Sequence, residues 1–167
     1  NTKLFYVQCV RKKGTYGTNS FVANGDATIT DKATGLMWQE ADNGVGVNWG
    51  DALSGCAAAT TGGHKNWRLP DAKELQSLVD YTRSPKTTSS AAIDSLFKAA
   101  SSTEEARQTD CGDYWSATTH KNAIGKNSAA VYVSFGRAMG YMKNSWLDVH
   151  GAGAQRSDPK NVANVTA

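Results

Sequence analysis

A chain of 167 residues, 40% hydrophobic and 20% charged, can bury one ordinary globular core and is short for two, so a single domain over residues 1–167 is expected. Its 18 basic and 15 acidic residues leave a net charge of only +3, and the longest basic run, Arg11-Lys12-Lys13, is three residues, which argues against the clustered phosphate contacts of a nucleic-acid binder. No apolar run approaches the roughly 20 residues of a membrane span, and Asn1 to Leu4 lacks the charged-then-apolar start of a signal peptide, so a soluble, already processed chain without membrane insertion is expected.

In chain order, Leu4 to Val10 is β-branched and aromatic and stops at a Lys-Lys-Gly turn, a strand candidate. Asn24 to Asp31 opens on a turn signal and runs through Thr and Ile; Lys32 to Gly35 then forms a polar turn before Leu36 to Gln39. This is the pattern of a β-hairpin. Asn48 stands as an N-cap, and Trp49, Leu53 and Cys56 follow on one helix face, ended by the run from Ala57 to Gly63.

The segment "NWRLPDAKEL" (66–75) reads as a second helix entry. Pro70 restricts Leu69 to an extended conformation, and Asp71 and Glu74 have the N-cap and N3 spacing of a capping box. Leu75, Leu78 and Val79 then form an apolar stripe facing a core. Thr82 to Asp113, rich in Ser, Thr and Ala, reads as a long surface excursion with one short helical candidate around Ala91 to Phe97; loops of this length often carry binding. In the last third, Asp113 to Ala117, Ala130 to Phe135, Met139 to Met142 and Trp146 to Val149 read as strands of an antiparallel meander, with turns at Gly136 and Lys143-Asn144. Residues 151–167 read as an extended tail.

Cys9, Cys56 and Cys111 are too widely spaced for a zinc knuckle, with no His at ligand spacing. Three thiols allow one bridge with one left over, or three buried and reduced cysteines, and composition leaves both open.

The blocks "ATGLMWQ" (33–39), "NWRLPDAKELQSLVD" (66–80), "YWSATTH" (114–120) and "AVYVSFG" (130–136) resemble, in this order, the domain named after the C-terminal region of the Legionella collagen-like protein. The resemblance covers about residues 21–150. That domain occurs in secreted bacterial proteins and is related to the C-type-lectin-like and formylglycine-generating-enzyme fold. The resemblance thus implies an α+β, C-type-lectin-like fold, with two helices packed on a twisted antiparallel sheet and long loops.

Domains of that family typically finish on a strand like Val-Arg-Cys-Val-Arg, whereas its likeness here, "VQCVR" (7–11), stands at the beginning. Residues 1–11 are therefore either a strand that completes the sheet or the remnant of a preceding domain. The family's helix and final-strand cysteines correspond to Cys56 and Cys9, which implies a Cys9–Cys56 bridge, with Cys111 free or paired to another chain. A disulfide in turn implies a secreted or extracellular setting.

Catalysis is not expected. The formylglycine-generating branch relies on a pair of reactive cysteines, and Cys111 in "TDCGDYW" has no matched partner or neighbouring His. The "RKKG" after Val10 also departs from the Arg-Gly-Gly-Ser that relatives often show there. There is no Gly-x-Ser-x-Gly elbow, His-Glu-x-x-His, Walker loop or Rossmann fingerprint, and His64, His120 and His150 are far apart. Capping accounts for Asp71 and Glu74 better than acid/base work does.

Binding fits better. Five Trp and six Tyr offer flat apolar faces that stack on sugar rings, among loops rich in hydrogen-bonding Asn, Asp, Ser and Thr. Trp38, Trp67 and Trp115 are expected in the core. The stretch 136–158 concentrates Arg137, Tyr141, Lys143, Asn144, Trp146, Asp148 and His150 near turns, where lectin-like relatives form their ligand-binding surface. Strand alternation puts Trp146 and Asp148 on one face and Leu147 and Val149 on the other. The collagen-like namesake is an adhesin that recognises sulfated glycans.

Calcium is the one cofactor candidate, through Asp26 and Asp31 or Asp148 and Asp158, although the Glu-Pro-Asn and Gln-Pro-Asp signatures of calcium-dependent lectins are absent. The expected function is a secreted lectin or adhesin with glycans as partners, acting as a homo-oligomer because affinity per site is modest. The rival is a non-catalytic interaction or structural subunit of an extracellular assembly.

Overall fold

The computed structural model describes residues 6, 8, 9, 11, 18–121 and 128–160, so the strand expected over Leu4 to Val10 falls largely outside them. Over these residues the chain is α+β, with two α-helices and several antiparallel sheets.

The first sheet is the meander β1 (Phe21–Ala23), β2 (Thr28–Asp31) and β3 (Leu36–Gln39), and its β2–β3 hairpin stands where the sequence places it. Asp31 fixes the turn from inside. It is fully buried, and its Oδ1 accepts the Ser20 and Ala33 N–H groups while its Oδ2 accepts the Thr34 hydroxyl. Burial opposes ionisation of Asp31, yet these donors hold its carboxyl below the ordinary value. Gly35, at φ 75°, adopts the left-handed conformation that lets its N–H reach the Asp31 carbonyl at 2.8 Å.

Helix α1 (Trp49–Ala58) starts as its cap predicts: Asn48 accepts the Asp51 N–H at 3.0 Å and returns its own amide to the Asp51 carboxylate at 2.6 Å. Its Trp49, Leu53 and Cys56 face is only half-buried, and Trp49 Nε1 donates to the Ser116 carbonyl at 2.9 Å. Helix α2 (Ala72–Gln76) carries the complete capping box. Asp71 accepts the Lys73 and Glu74 N–H groups, and Glu74 Oε2 accepts the Asp71 N–H at 2.9 Å. Arg68 adds a fork on the same carboxylate, with bonds of 2.7 and 2.6 Å. The Pro70 carbonyl and the Ala72 N–H bond to Ala117 and Thr118, so the motif also ties the helix entry to the sheet.

The remaining strands are β4 (Ser101–Thr103), β5 (Thr109–Cys111), β6 (Asp113–His120), β7 (Ala129–Ser134), β8 (Met139–Met142), β9 (Ser145–Asp148) and β10 (Gln155–Pro159). They form three sheets rather than one meander: β4–β5, β8–β9, and a three-stranded sheet in the order β10-β7-β6. The core lies where α2 meets that last sheet, with Leu75, Leu78, Ile93, Val133 and Phe135 buried together and Phe21, Trp38, Val79, Phe97 and Tyr114 packed around them.

Three further expectations change. Residues 91 to 97 form turns, not a helix, because the Ala92 backbone is claimed by distant partners: its N–H bonds the Phe135 carbonyl at 2.8 Å and its carbonyl accepts the Asp80 N–H at 2.9 Å. The excursion thus delivers Ile93 into the core. The tail is not loose over 155–159, where β10 pairs with β7 from Gln155↔Val133 to Pro159↔Ala129. The Cys9–Cys56 bridge is not formed: Cys9 is exposed, Cys56 is half-buried on α1, and all three cysteines are free thiols.

The Arg68 hydrogen bonds, more than any other contact, lower the Glu74 pKa. The stability that Glu74 contributes is therefore present above the unfolded carboxylate pKa and lost as pH falls through the depressed folded value. In urea unfolding at neutral pH, Asp71→Ala is expected to cost about 1 kcal/mol, as N-cap losses do. Glu74→Gln should also destabilise at neutral pH, with its deficit against the unsubstituted protein vanishing toward the acid limb; a deficit independent of pH would refute the ionic part of the clamp.

Candidate functional site

The β8–β9 hairpin carries the residues the sequence singles out. Lys143 and Asn144, at φ 51° and 59°, form the two-residue turn between the Met142↔Ser145 pair, and positive φ at both positions matches the twist of a tight hairpin. Register sets Tyr141 opposite Trp146 and Met139 opposite Asp148, so these four share one face. The Tyr141 and Trp146 rings meet edge to face, with centroids 5.4 Å apart at 66°. Both remain open to solvent, at 61% and 41% exposure. Met142 and Leu147, on the opposite face, are exposed as well. The turn tip therefore presents an aromatic pair flanked by the Lys143 ammonium and the Asn144 amide.

Not every expected residue joins this surface. Asp148 lies on the Trp146 face, but its Oδ1 accepts the Ala138 N–H at 3.0 Å and the Gly151 N–H at 2.9 Å, fixing the base of the hairpin. Arg137 is turned into the fold. Its N–H bonds both Asp110 carboxylate oxygens at 3.0 Å, its Nη1 bonds the Thr109 carbonyl at 3.0 Å, and its side chain is only 14% exposed. His150 is exposed just beyond β9. Of the calcium candidates, Asp26 is bonded to the Thr28 N–H and hydroxyl and Asp31 is enclosed in its turn. Among the described residues no group of three or more His, Cys, Asp or Glu side chains is placed to hold a metal ion.

A second feature escapes the sequence reading. The face of the β10-β7-β6 sheet turned away from the core holds a cleft of about 200 Å³ lined by Asp113, Trp115, Tyr132 and Asp158. Trp115 was expected in the core; instead it is half-buried in the cleft wall, with its Nε1 bonded to the Val47 carbonyl at 3.0 Å and its ring edge to face with Tyr132 at 5.9 Å. Trp38 packs against the core as expected, whereas Trp67 is half-buried outside the core cluster, its Nε1 bonding the Thr61 carbonyl at 3.1 Å. The only sequence signal for the cleft is the alternation of β6, which puts Asp113 and Trp115 on the face opposite Tyr114.

A capped short helix docked on an antiparallel sheet, with an exposed aromatic hairpin beside it, defines the α+β domain. The profile of the Lcl C-terminal domain family matches residues 27–150, and the chain belongs to that family. No curated protein and no solved structure matches it. Among the described residues no helix is long and apolar enough to cross a membrane.

The hairpin hangs on one tight crossing. A Cβ on Gly136 would run into the Cys111 carbonyl oxygen and stand 2.5 Å from Asp110 Oδ1, displacing the carboxylate that holds Arg137. Gly136→Ala should therefore cost about 3 kcal/mol or more in equilibrium unfolding, at the upper end of overpacking penalties. A loss below about 1 kcal/mol would show that the crossing relaxes freely.

Proposed function

We propose that this domain is a secreted, C-type-lectin-like module that binds glycans without catalysis through the β8–β9 hairpin. The observation that carries the reading is the Tyr141–Trp146 pair, held edge to face and left open to solvent on a hairpin too small to need it for a core. Aromatic faces of this kind stack on the C–H side of sugar rings, and Asn144 supplies an amide for hydroxyls. Lys143 adds a cation at the tip that suits a sulfated or otherwise anionic sugar. Asp148, Arg137 and Gly136 then act as positioning residues that hold the hairpin. The free thiols favour no chemistry: burial raises the Cys56 and Cys111 pKa values, which keeps both protonated and weakly nucleophilic.

One hairpin gives a small contact area, so useful avidity requires several copies, and a homo-oligomer is part of the reading. A second reading, an interaction module, draws on Met142 and Leu147, which leave the opposite face of the same hairpin apolar and uncovered.

The test is an array of neutral and sulfated glycans probed with the protein in calcium and in chelator. Binding to a defined glycan set is expected, about tenfold weaker or more in Trp146→Ala and Tyr141→Ala, the scale of losing a good aromatic contact. Chelator should leave it unchanged. A silent array from folded protein, together with concentration-dependent self-association abolished by Leu147→Ser, would reject the lectin reading in favour of the interaction module.

A further inference from the structure

The cleft on the β10-β7-β6 sheet has no part in the hairpin reading. Pairing of Asp113 with Ser134, Trp115 with Tyr132, and Asp158 with Ala130 sets a carboxylate from each outer strand on either side of the central strand, with the two aromatic rings between. Among the described residues neither carboxylate forms an ion pair. Arg156, opposite Tyr132, directs its Nη1 to the Met139 carbonyl at 2.7 Å. Ser134, on the same face as Asp113, is fully buried, and its hydroxyl has no partner of good hydrogen-bond geometry.

We propose that this cleft is a binding site for a small organic ammonium ion, held between the Asp113 and Asp158 carboxylates and against the Trp115 and Tyr132 rings. The charges supply the attraction, and the negative faces of the rings add a cation–π term that a hydrated inorganic ion exploits poorly. Among the described residues no third acidic or imidazole ligand joins the two carboxylates, too few hard donors for a protein-built calcium site, which favours an organic cation over a metal.

The electrostatics agree with this geometry. Burial is the largest cause and raises the Asp113 pKa; the nearby Ser134 hydroxyl pulls the other way, and the charges of Asp110, Asp158 and Glu105 each add a smaller upward push. The Tyr132 phenol is pushed up to about 12 by burial and by Asp158 and Asp113, with Arg156 offsetting only part. Asp113 stays reachable by solvent from the cleft while protein crowds it on the other sides. A cationic ligand relieves this negative potential and favours the ionised Asp113, so its affinity falls on acidification.

The test is a titration of the folded protein, followed by backbone and indole N–H resonances, with tetramethylammonium chloride and n-butylammonium chloride at constant ionic strength. Sodium and calcium chloride serve as parallel arms. Saturable shifts confined to Trp115 and its cleft neighbours are expected for at least one ammonium probe, with the quaternary and primary arms telling whether ring contact or N–H donation dominates. Asp158→Asn, which keeps the shape, and Trp115→Phe should each weaken binding by about tenfold, the scale of losing one charge or a good ring contact. Affinity should also drop as pH is lowered toward the carboxylate range. Shifts no larger than with sodium, equal affinity in Asp158→Asn, or tighter binding of calcium would each overturn the proposal.

Discussion

Burial of Val133 and Phe135 at the end of β7 is the constraint on which the rest of the structure depends. Both are essentially inaccessible and pack with Leu75 and Leu78 from α2 and Ile93 from the excursion. Each element has a reason to be there. The capping box starts α2 where its leucines face the sheet, and the stitch from Ala92 to Phe135 brings Ile93 beside them. A helix of five residues has little stability alone, so α2 exists because its apolar stripe is buried and its first turn is capped.

Once one face of β7 is committed to that core, the pleat turns Ala130, Tyr132 and Ser134 to the other face. All three are also buried, so β7 is a central strand covered on both sides, flanked by β6 and β10. A polar face over a central strand leaves buried groups that need partners. That cost explains why Tyr132 and Ser134 sit among carboxylates and a guanidinium rather than against a second apolar layer. The cleft is the consequence of a sheet with one dry face and one polar face.

The parts of the fold legible in the sequence were those governed by local chemistry. Asn48, Asp71 and Glu74 cap helices wherever the helix packs, and Gly35 and the Lys143-Asn144 pair make turns whose backbone angles are their own requirement. What was illegible depends on partners far along the chain. The polar run Gln155–Pro159 becomes a strand because β7 offers an open edge, and Ala91 to Phe97 is held in turns rather than a helix because Phe135 and Asp80 claim the Ala92 backbone. The hairpin surface was visible for the same reason the turns were, in Tyr141 and Trp146 beside a tight turn. Arg137 misled because a cation near turns looks like a ligand group until Asp110 and Thr109 are found beneath it. The cleft draws one residue pair from β6 and single residues from β7 and β10, a set no window of sequence contains.

Arg156 of β10 ties the sheet that carries the cleft to the hairpin. Arg156 faces the cleft side of the sheet, where its charge partly offsets that of Asp158 and Asp113 on Tyr132, while its guanidinium reaches out to the carbonyl of Met139, the first residue of β8. A charge-assisted bond of 2.7 Å to a backbone carbonyl is a strong tether for a two-stranded ribbon that otherwise leans on Asp148 at its base. The base of the aromatic hairpin is therefore held on both strands, by Arg156 at Met139 of β8 and by Asp148 of β9 at the Ala138 N–H.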